Sequence, residues 1–410
     1  MGIQVTLLNN NRSNICSSLL PRDYGTFRPK IFDFFLKDVL PKSHRILDPM
    51  AGTAPLLPLI TTAGVKGHFN DILPSHYFIN KAKTFGCFLA LRKRQGREKR
   101  FLFREVMRCL RPLNRARLLV SKNWIHDEIL SILINAWEAA EKYEEEIGTI
   151  LRAIILMCVR PYSCFTSSVS NHTWLKMGGM STGRPLEDIV KEKIDKLQSF
   201  YSFHYGDINI KNTNLIEITC KDATLLKLKT KFDTIFTSPP YPNRFDARTF
   251  SAPELFFLEQ AGYPVKSNAI LGTPQVKDYL NLENGIDFIR KVAPSTLSFL
   301  MAIINKSEKG EAEYYPRFFV RYYSDLFRLI QNCARFLKNN GAIYMVVQNN
   351  IHRGELNEMP KYLTQFFELA GYETAVVFDK VYPHLGTRNI SAKYPLVIKK
   401  HIESIIRAQK

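Results

Sequence analysis

The 410-residue sequence has no apolar run approaching the ~18–20 residues needed to cross a bilayer, so no transmembrane helix is expected. Its opening stretch, MGIQVTLLNN, lacks the basic region, apolar segment and small-residue cleavage site of a secretory signal. MGIQVT fits the loose pattern for N-terminal acylation, but chance supplies such short matches often and no basic anchor stands beside it. Cysteine is sparse. The seven are Cys16, Cys87, Cys109, Cys158, Cys164, Cys220 and Cys333, and none pair as CxxC. This pattern argues against a disulfide framework and against a zinc site; reduced thiols in an intracellular protein and no metal are expected. The dinucleotide fingerprint G-x-G-x-x-G is absent, which argues against NAD. There is no internal repeat and no low-complexity tract.

Acidic residues are also in short supply. Asp and Glu number 38 against 57 Lys and Arg, a formal charge of +19. Such an excess favours a polyanionic partner, because neutralising phosphates releases counterions. The charge is concentrated. Between Arg92 and Lys122 lie twelve basic residues (Arg92, Lys93, Arg94, Arg97, Lys99, Arg100, Arg104, Arg108, Arg111, Arg115, Arg117, Lys122) and two acids, Glu98 and Glu105. The run reads either as a nucleic-acid contact or as a solvated helix face.

Along the chain, HRILD (His44 to Asp48) reads as a strand ending in a Gly-bearing turn, followed by a helical pattern at PLLPLITTAG. KGHFND is a second strand, ending at Asp71. From about residue 75 to 205 the apolar spacing of three and four predicts mostly helix. A polar loop from Arg160 to Arg184 interrupts it. Strands return at IEITCKDA, ending near Asp222, and at FDTIFTS, ending at Ser238. A mixed segment runs from about residue 247 to 315. The helix YYSDLFRLIQNCARFLKNNG then closes on an Asn-Asn-Gly stop signal, and AIYMVVQNN is a buried strand. EMPKYLTQFFELAGY is helical, and TAVVFDKVYP and YPLVIKK are expected to pair as an antiparallel hairpin. Alternating strands and helices predict an α/β fold with a mostly parallel sheet and ligands at the carboxyl ends of the strands. Asp48, Asp71, Asp222 and Ser238 all fall at or just past such ends.

Four stretches bear chemistry. In DPMAGTA, Asp48 to Ala54, a strand, a small-residue turn and a helix start let a ligand approach the backbone closely. Asp71 stands where an acid can bond ribose hydroxyls, and Asp222, beside Ala223, where a carboxylate can accept from an adenine amino group; either could instead be a turn or cap residue. In TSPPY two prolines after an apolar strand fix the backbone near φ −65°, holding a hydroxyl and an aromatic ring at set positions.

These motifs, in this order, resemble S-adenosylmethionine-dependent DNA methyltransferases that modify an exocyclic amino group. Ser238-Pro239-Pro240-Tyr241 is similar to the family's catalytic motif, and DPMAGTA to its cofactor turn Asp-Pro-Phe-x-Gly-x-Gly. YGTFRPKIF precedes the first strand, where the family's methionine-side segment lies, and TSPPYPNRFD with a later EL resembles a bacterial subgroup. The resemblance covers the first ~80 residues and much of the last ~190. Met50 stands in place of the usual aromatic, and Ala54 in place of the second glycine.

The resemblance implies a Rossmann-like methyltransferase fold: a mixed sheet, mostly parallel with a C-terminal antiparallel hairpin, carrying a largely helical insertion. Residues 1–80 and 206–410 would form the catalytic domain, 81–205 the helical insertion and candidate target-recognition region, and 247–315 a second, smaller insertion. It implies a cofactor, S-adenosylmethionine, held by Phe27, Asp48, Pro49, Ala51, Gly52, Thr53, Asp71, Asp222 and Ala223. It implies catalysis by Ser238, Pro239, Pro240 and Tyr241. The Ser238 hydroxyl and Pro239 carbonyl would accept from the amino group and localise its lone pair, while Tyr241 stacks on a flipped base. The chemistry needs no cysteine nucleophile. Ser at the first motif position favours cytosine N4 over adenine N6.

The nucleic-acid contacts expected are Arg92, Lys93, Arg94 and Arg97 in the basic run; Asn171, His172, Trp174 and Lys176 in the polar loop, with Tyr162 and Phe165; and Asn243 and Arg244 after the motif. Asn243, Arg244, Asp246 and Arg248 would equally serve as caps of the next helix. Double-stranded DNA in a bacterial cytoplasm is the expected setting, with a cognate restriction endonuclease as a companion. Three readings compete with DNA amino-methylation: RNA methylation, protein-amide methylation, and a non-catalytic nucleic-acid-binding protein on the same scaffold.

Overall fold

The computed structural model describes residues 19, 27–94, 97–111, 125–163, 183–206, 214–242, 247–263, 271, 282–306, 314–383 and 400–410. The strands are β1 (Arg45–Asp48), β2 (Lys66–Asp71), β3 (Ile216–Cys220), β4 (Phe232–Thr237), β5 (Leu337–Gln348), β6 (Asn350–His352), β7 (Glu355–Asn357), β8 (Glu373–Pro383) and β9 (Lys400–Gln409). Seven of them form one sheet in the order β3-β2-β1-β4-β5-β9-β8, and β6 and β7 make a separate small hairpin. β1 to β5 pair in parallel; β9 runs antiparallel to both β5 and β8.

The sheet is buried on both faces, so its central strands read as continuous apolar runs rather than alternating ones. Alternate residues nevertheless enter different cores. Leu47, Ile235, Ile343 and Met345 join one apolar cluster; Ile46, Phe69, Phe236 and Val346 join another. The first cluster is covered by α11 (Leu282–Val292), α12 (Pro294–Asn305), α13 (Tyr314–Phe336) and α14 (Met359–Leu369). The second is covered by α1 (Pro29–Phe34) and α2 (Leu57–Thr62). Both α1 and α2 place proline in the first turn, where its missing N–H has no helical partner to lose.

A third core belongs to the helices themselves. α3 (Pro74–Ala82), α4 (Phe85–Arg92), α5 (Glu98–Cys109), α6 (Asp127–Ala140), α7 (Glu145–Val159) and α8 (Leu186–Tyr205) close around Trp137, Leu151 and Tyr205. α7 carries an apolar residue on nearly every side and is buried along its length, the centre post of this layer. After the short α9 (Ala247–Phe250), α10 (Ala252–Gln260) adds Phe256, Phe257 and Leu258 to the same core. Residues 247–263 thus pack into the helical layer, whereas α11 and α12 pack on the sheet.

Three details differ from the sequence reading. The strand that pairs with β8 is Lys400–Gln409, not YPLVIKK, of which residues 394–399 lie outside the described set. α13 stops at Phe336, and Leu337 already pairs with Phe232, so Asn339, Asn340 and Gly341 belong to β5. Gly341 is required by proximity instead of capping: a Cβ there would sit 2.9 Å from the Asp233 carbonyl. The hairpin β6–β7 turns on Arg353 and Gly354, both with positive φ. Positive φ at both central residues matches the hand of a two-residue hairpin.

Candidate active site

The sheet order reverses between β1 and β4, which lie side by side while the chain leaves them in opposite directions. Crevices form at such a switch point, outside the carboxyl ends of the strands. DPMAGTA follows β1 and SPPY follows β4, so the fold brings the two most distinctive motifs to one crevice.

The β1 turn is wired from below. Gly52 takes φ +55° and Ala54 φ +46°, a conformation that suits glycine and strains alanine. Ala51 N–H donates to the Asn70 carbonyl (2.8 Å) and Gly52 N–H to Asp71 Oδ2 (2.8 Å). Asn80 Nδ2 donates to the Gly52 carbonyl (2.8 Å), and Lys83 Nζ to the Thr53 carbonyl (2.5 Å). Lys83 is 2% exposed, and its ammonium group also lies over the Phe200 ring at 5.6 Å. Tyr205 in α8 donates to the Lys83 carbonyl (2.8 Å), tying the helical layer to the turn. Asn70 bridges three strand ends, donating to the Pro49 and Lys221 carbonyls and accepting from Thr219 and the Lys221 N–H.

The acids stand at or just past the ends of the adjacent parallel strands β1, β2 and β3. Asp71 accepts from Gly52 and Leu73 N–H groups and lies 3.1 Å from His76 Nδ1. Those partners occupy three of about four acceptor sites on a carboxylate. Asp222 closes an Asx turn on Thr224, accepting from its N–H and hydroxyl at 2.8 Å, and Ala223 offers its carbonyl to Asn332. Asp48 is buried and accepts at Oδ1 from the Thr237 hydroxyl (2.8 Å) and Met50 N–H (3.2 Å). Burial pushes its carboxyl up to about 7, and the nearby Asp71 charge adds to the rise. Asp48 therefore touches both motifs: its own turn, and the residue immediately before Ser238. Phe27 is 9% exposed and packs edge-on against Phe236 of β4 (5.6 Å) and Phe32 (5.8 Å).

The SPPY bend is held at several points. Tyr322 of α13 donates to the Pro240 carbonyl (2.8 Å), and Asn350 Nδ2 to the Pro242 carbonyl (2.5 Å). The Tyr241 hydroxyl reaches Glu403 Oε1 at 3.4 Å. The Pro239 carbonyl accepts no hydrogen bond from any described residue. Ser238 is half-buried, with its side chain within reach of the Tyr241 hydroxyl. A serine hydroxyl has two acceptor lone pairs, so one such neighbour leaves acceptor capacity over. Among the described residues, then, Ser238 and Pro239 each keep an oxygen with acceptor capacity, while the Pro240 and Pro242 carbonyls are engaged.

Of the expected nucleic-acid contacts, Arg92, Lys93, Arg94 and Arg97 lie exposed at the end of α4 and the turn into α5. Arg94 is committed to Glu144 (2.9 Å) and stacks over Phe101 (4.5 Å). Asn171, His172, Trp174, Lys176, Asn243 and Arg244 lie outside the described residues. Sequence reading missed Asn70, Asn80, Lys83, Tyr322, Asn350 and Glu403, whose partners lie far along the chain. Thr237 alone carried a local signal, standing next to Ser238.

A sheet in this order, with β9 inserted antiparallel between β5 and the edge strand β8, is the Rossmann-like methyltransferase fold. The chain is similar to the Type II methyltransferase M.AvaI of Nostoc sp. (strain PCC 7120 / SAG 25.82 / UTEX 2576), 23% identical over 342 residues that cover 76% of this chain and 69% of that protein. The M.AvaI of Anabaena variabilis matches with the same identity and coverage. No family model matches. The distant likeness supports reading the chain as a DNA methyltransferase.

Proposed function

We propose that the chain transfers a methyl group from S-adenosylmethionine to an exocyclic amino group of a base flipped out of duplex DNA, with cytosine N4 the favoured acceptor. The observation that carries this reading is the pair of available acceptor oxygens on Ser238 and Pro239, fixed on a diproline bend beside the Asp48 turn. An exocyclic amine is a poor nucleophile because its lone pair is delocalised into the ring. Two acceptors in line with its N–H bonds favour a pyramidal nitrogen and localise that pair. Acceptors already fixed in place lose no further freedom in the transition state, the usual source of a large catalytic gain.

S-adenosylmethionine, when bound, supplies an electrophilic methyl group. The residues present suit it: Asp48, Asp71 and Asp222 gather carboxylates around a crevice that a cationic ligand would enter. Asp71 would take the ribose edge through its remaining acceptor site and Asp222 the adenine amino group, with Pro49, Ala51, Gly52, Thr53 and Ala223 as walls. Tyr241 would stack on the extruded base, returning about 1–3 kcal/mol of the cost of flipping it. Type II methyltransferase relatives favour a restriction–modification setting, with site-specific methylation protecting DNA from a companion endonuclease.

The test is side-by-side methyl incorporation from labelled cofactor into DNA, tRNA and protein, followed by methylation-sensitive sequencing of the DNA product. Label in DNA at cytosine N4 is expected. Adenine label would move the acceptor to N6. Label confined to tRNA or protein, or cofactor binding without transfer, would overturn the reading.

A further inference from the structure

Resting on the methyl-transfer reading, we propose that Glu403 is a positioning residue that aims the Tyr241 ring at the target base. Glu403 lies on β9, the last strand, where it pairs in register with Gln348 of β5 and Lys380 of β8. It is 5% exposed, an unusual place for a carboxylate beside Ile405 and Ile406, which are fully buried. Burying such a group is costly unless it is partnered. Its partners belong to the site. Oε1 accepts from the Tyr241 hydroxyl, and Oε2 faces Arg28 Nε at 3.5 Å. Arg28 follows Phe27 and stands at the N-cap position of α1, so the carboxylate spans the N-terminal segment and the catalytic bend. Ser238 also lies within interaction reach of the Tyr241 hydroxyl.

The division of labour around the bend gives Glu403 its role. Tyr322 and Asn350 hold the carbonyls of Pro240 and Pro242, immediately before and after Tyr241. Those hydrogen bonds hold the backbone on either side of Tyr241 and do not reach its side chain. The direction of the ring is set from the hydroxyl at its far end, and Glu403 holds that point from the sheet. A ring stacked on an extruded base must keep its plane, so a loose phenol would lower the fraction of complexes in reacting geometry.

Four full-length variants test this: Glu403→Gln, which keeps an acceptor at Oε1; Glu403→Leu, which removes it; Tyr241→Phe, which removes the donor and keeps the ring; and the Leu/Phe double variant. Methyl incorporation into unmodified DNA gives kcat/KM, calorimetry gives cofactor Kd, and thermal unfolding gives stability. Glu403→Gln should stay close to wild type. Glu403→Leu and Tyr241→Phe should each lose on the order of 10–10²-fold in kcat/KM with cofactor Kd unchanged. The double variant should be no worse than the poorer single one, because both remove the same hydrogen bond. Wild-type turnover in Tyr241→Phe, multiplying losses in the double variant, or a loss in Glu403→Leu that follows weakened cofactor binding would each overturn the inference alone. If Glu403→Leu does not fold, Tyr241→Phe with Glu403→Gln still decides. A wild type that labels no DNA would overturn the methyl-transfer reading and this inference with it.

Discussion

Asp48 is where a single proton has the widest reach, since its carboxyl is buried, sits in the proposed cofactor crevice and is bonded to the residue before Ser238. Folding raises it from 3.8 to about 7. An acid shifted upward stays protonated in the folded chain where the unfolded chain has already ionised. Its contribution to stability is therefore fully present below the unfolded value and is lost as pH rises through about 7. Both observed donors reach Oδ1, so Asp48→Asn can keep them through its carbonyl oxygen. Urea unfolding at about pH 8 should find Asp48→Asn more stable than wild type, with the advantage vanishing near pH 4. Cofactor affinity should respond in the opposite sense. A cationic ligand favours the carboxylate, so wild-type affinity should fall as pH drops below about 7, by up to about tenfold per unit, and Asp48→Asn should lose this slope. Two neighbours separate binding from turnover. Ser238→Ala should lower kcat on the order of 10²-fold with cofactor Kd nearly unchanged. Asp71→Ala should weaken cofactor binding first, because it loses the proposed ribose acceptor and frees the Gly52 N–H. Calorimetry beside single-turnover kinetics would expose a swap of those roles.

At the scale of elements, the two turns were legible and their supports were not. DPMAGTA and TSPPY announce themselves because proline, glycine and a strand-ending acid act over a few residues. Their supports act across the chain: Thr237 meets Asp48 189 positions away, Tyr241 meets Glu403 across 162, and Tyr322 meets Pro240 across 82. No local pattern encodes such pairs. β9 was passed over for a related reason. HIESIIRAQ carries a Glu and an Arg inside a strand, and the distant partners Tyr241 and Arg28 explain why Glu403 is tolerated there. Gly341 was misread as a helix stop because Asn-Asn-Gly is a common one, whereas its actual constraint is the approach of β5 to β4. Gly341→Ala should therefore destabilise the chain by about 1–3 kcal/mol through overpacking between two central strands. A denaturant midpoint equal to that of wild type would return Gly341 to a role in chain direction alone.

For the molecule as a whole, the charge of +19 poses the question of where DNA lies. The basic run is not uniform. Arg104 and Arg108 both engage Glu105, whose side chain is 3% exposed and also accepts from Tyr143. Lys99 pairs with Asp195, and Arg94 with Glu144. Arg92, Lys93, Arg97 and Arg100 are exposed and make no ion pair with any described residue. Among the described residues of the run Arg111 also lacks an ion pair, and we propose that the four clustered at the end of α4 and the start of α5 meet phosphate. Replacing them together with Gln should weaken DNA binding and reduce the slope of log affinity against log salt by roughly 0.9 for each phosphate no longer neutralised. Folding stability should barely change, since exposed charges outside ion pairs contribute little to it. Arg104→Gln with Arg108→Gln should do the reverse: the salt slope stays, while stability falls by about 1–3 kcal/mol as Glu105 is deprived of the donors that offset its burial. Fluorescence anisotropy across a salt series, with urea unfolding of the same samples, reads both quantities. An unchanged slope in the four-residue variant would mean that DNA docks on another face, and the polar loop from Arg160 to Arg184 would become the next segment to alter.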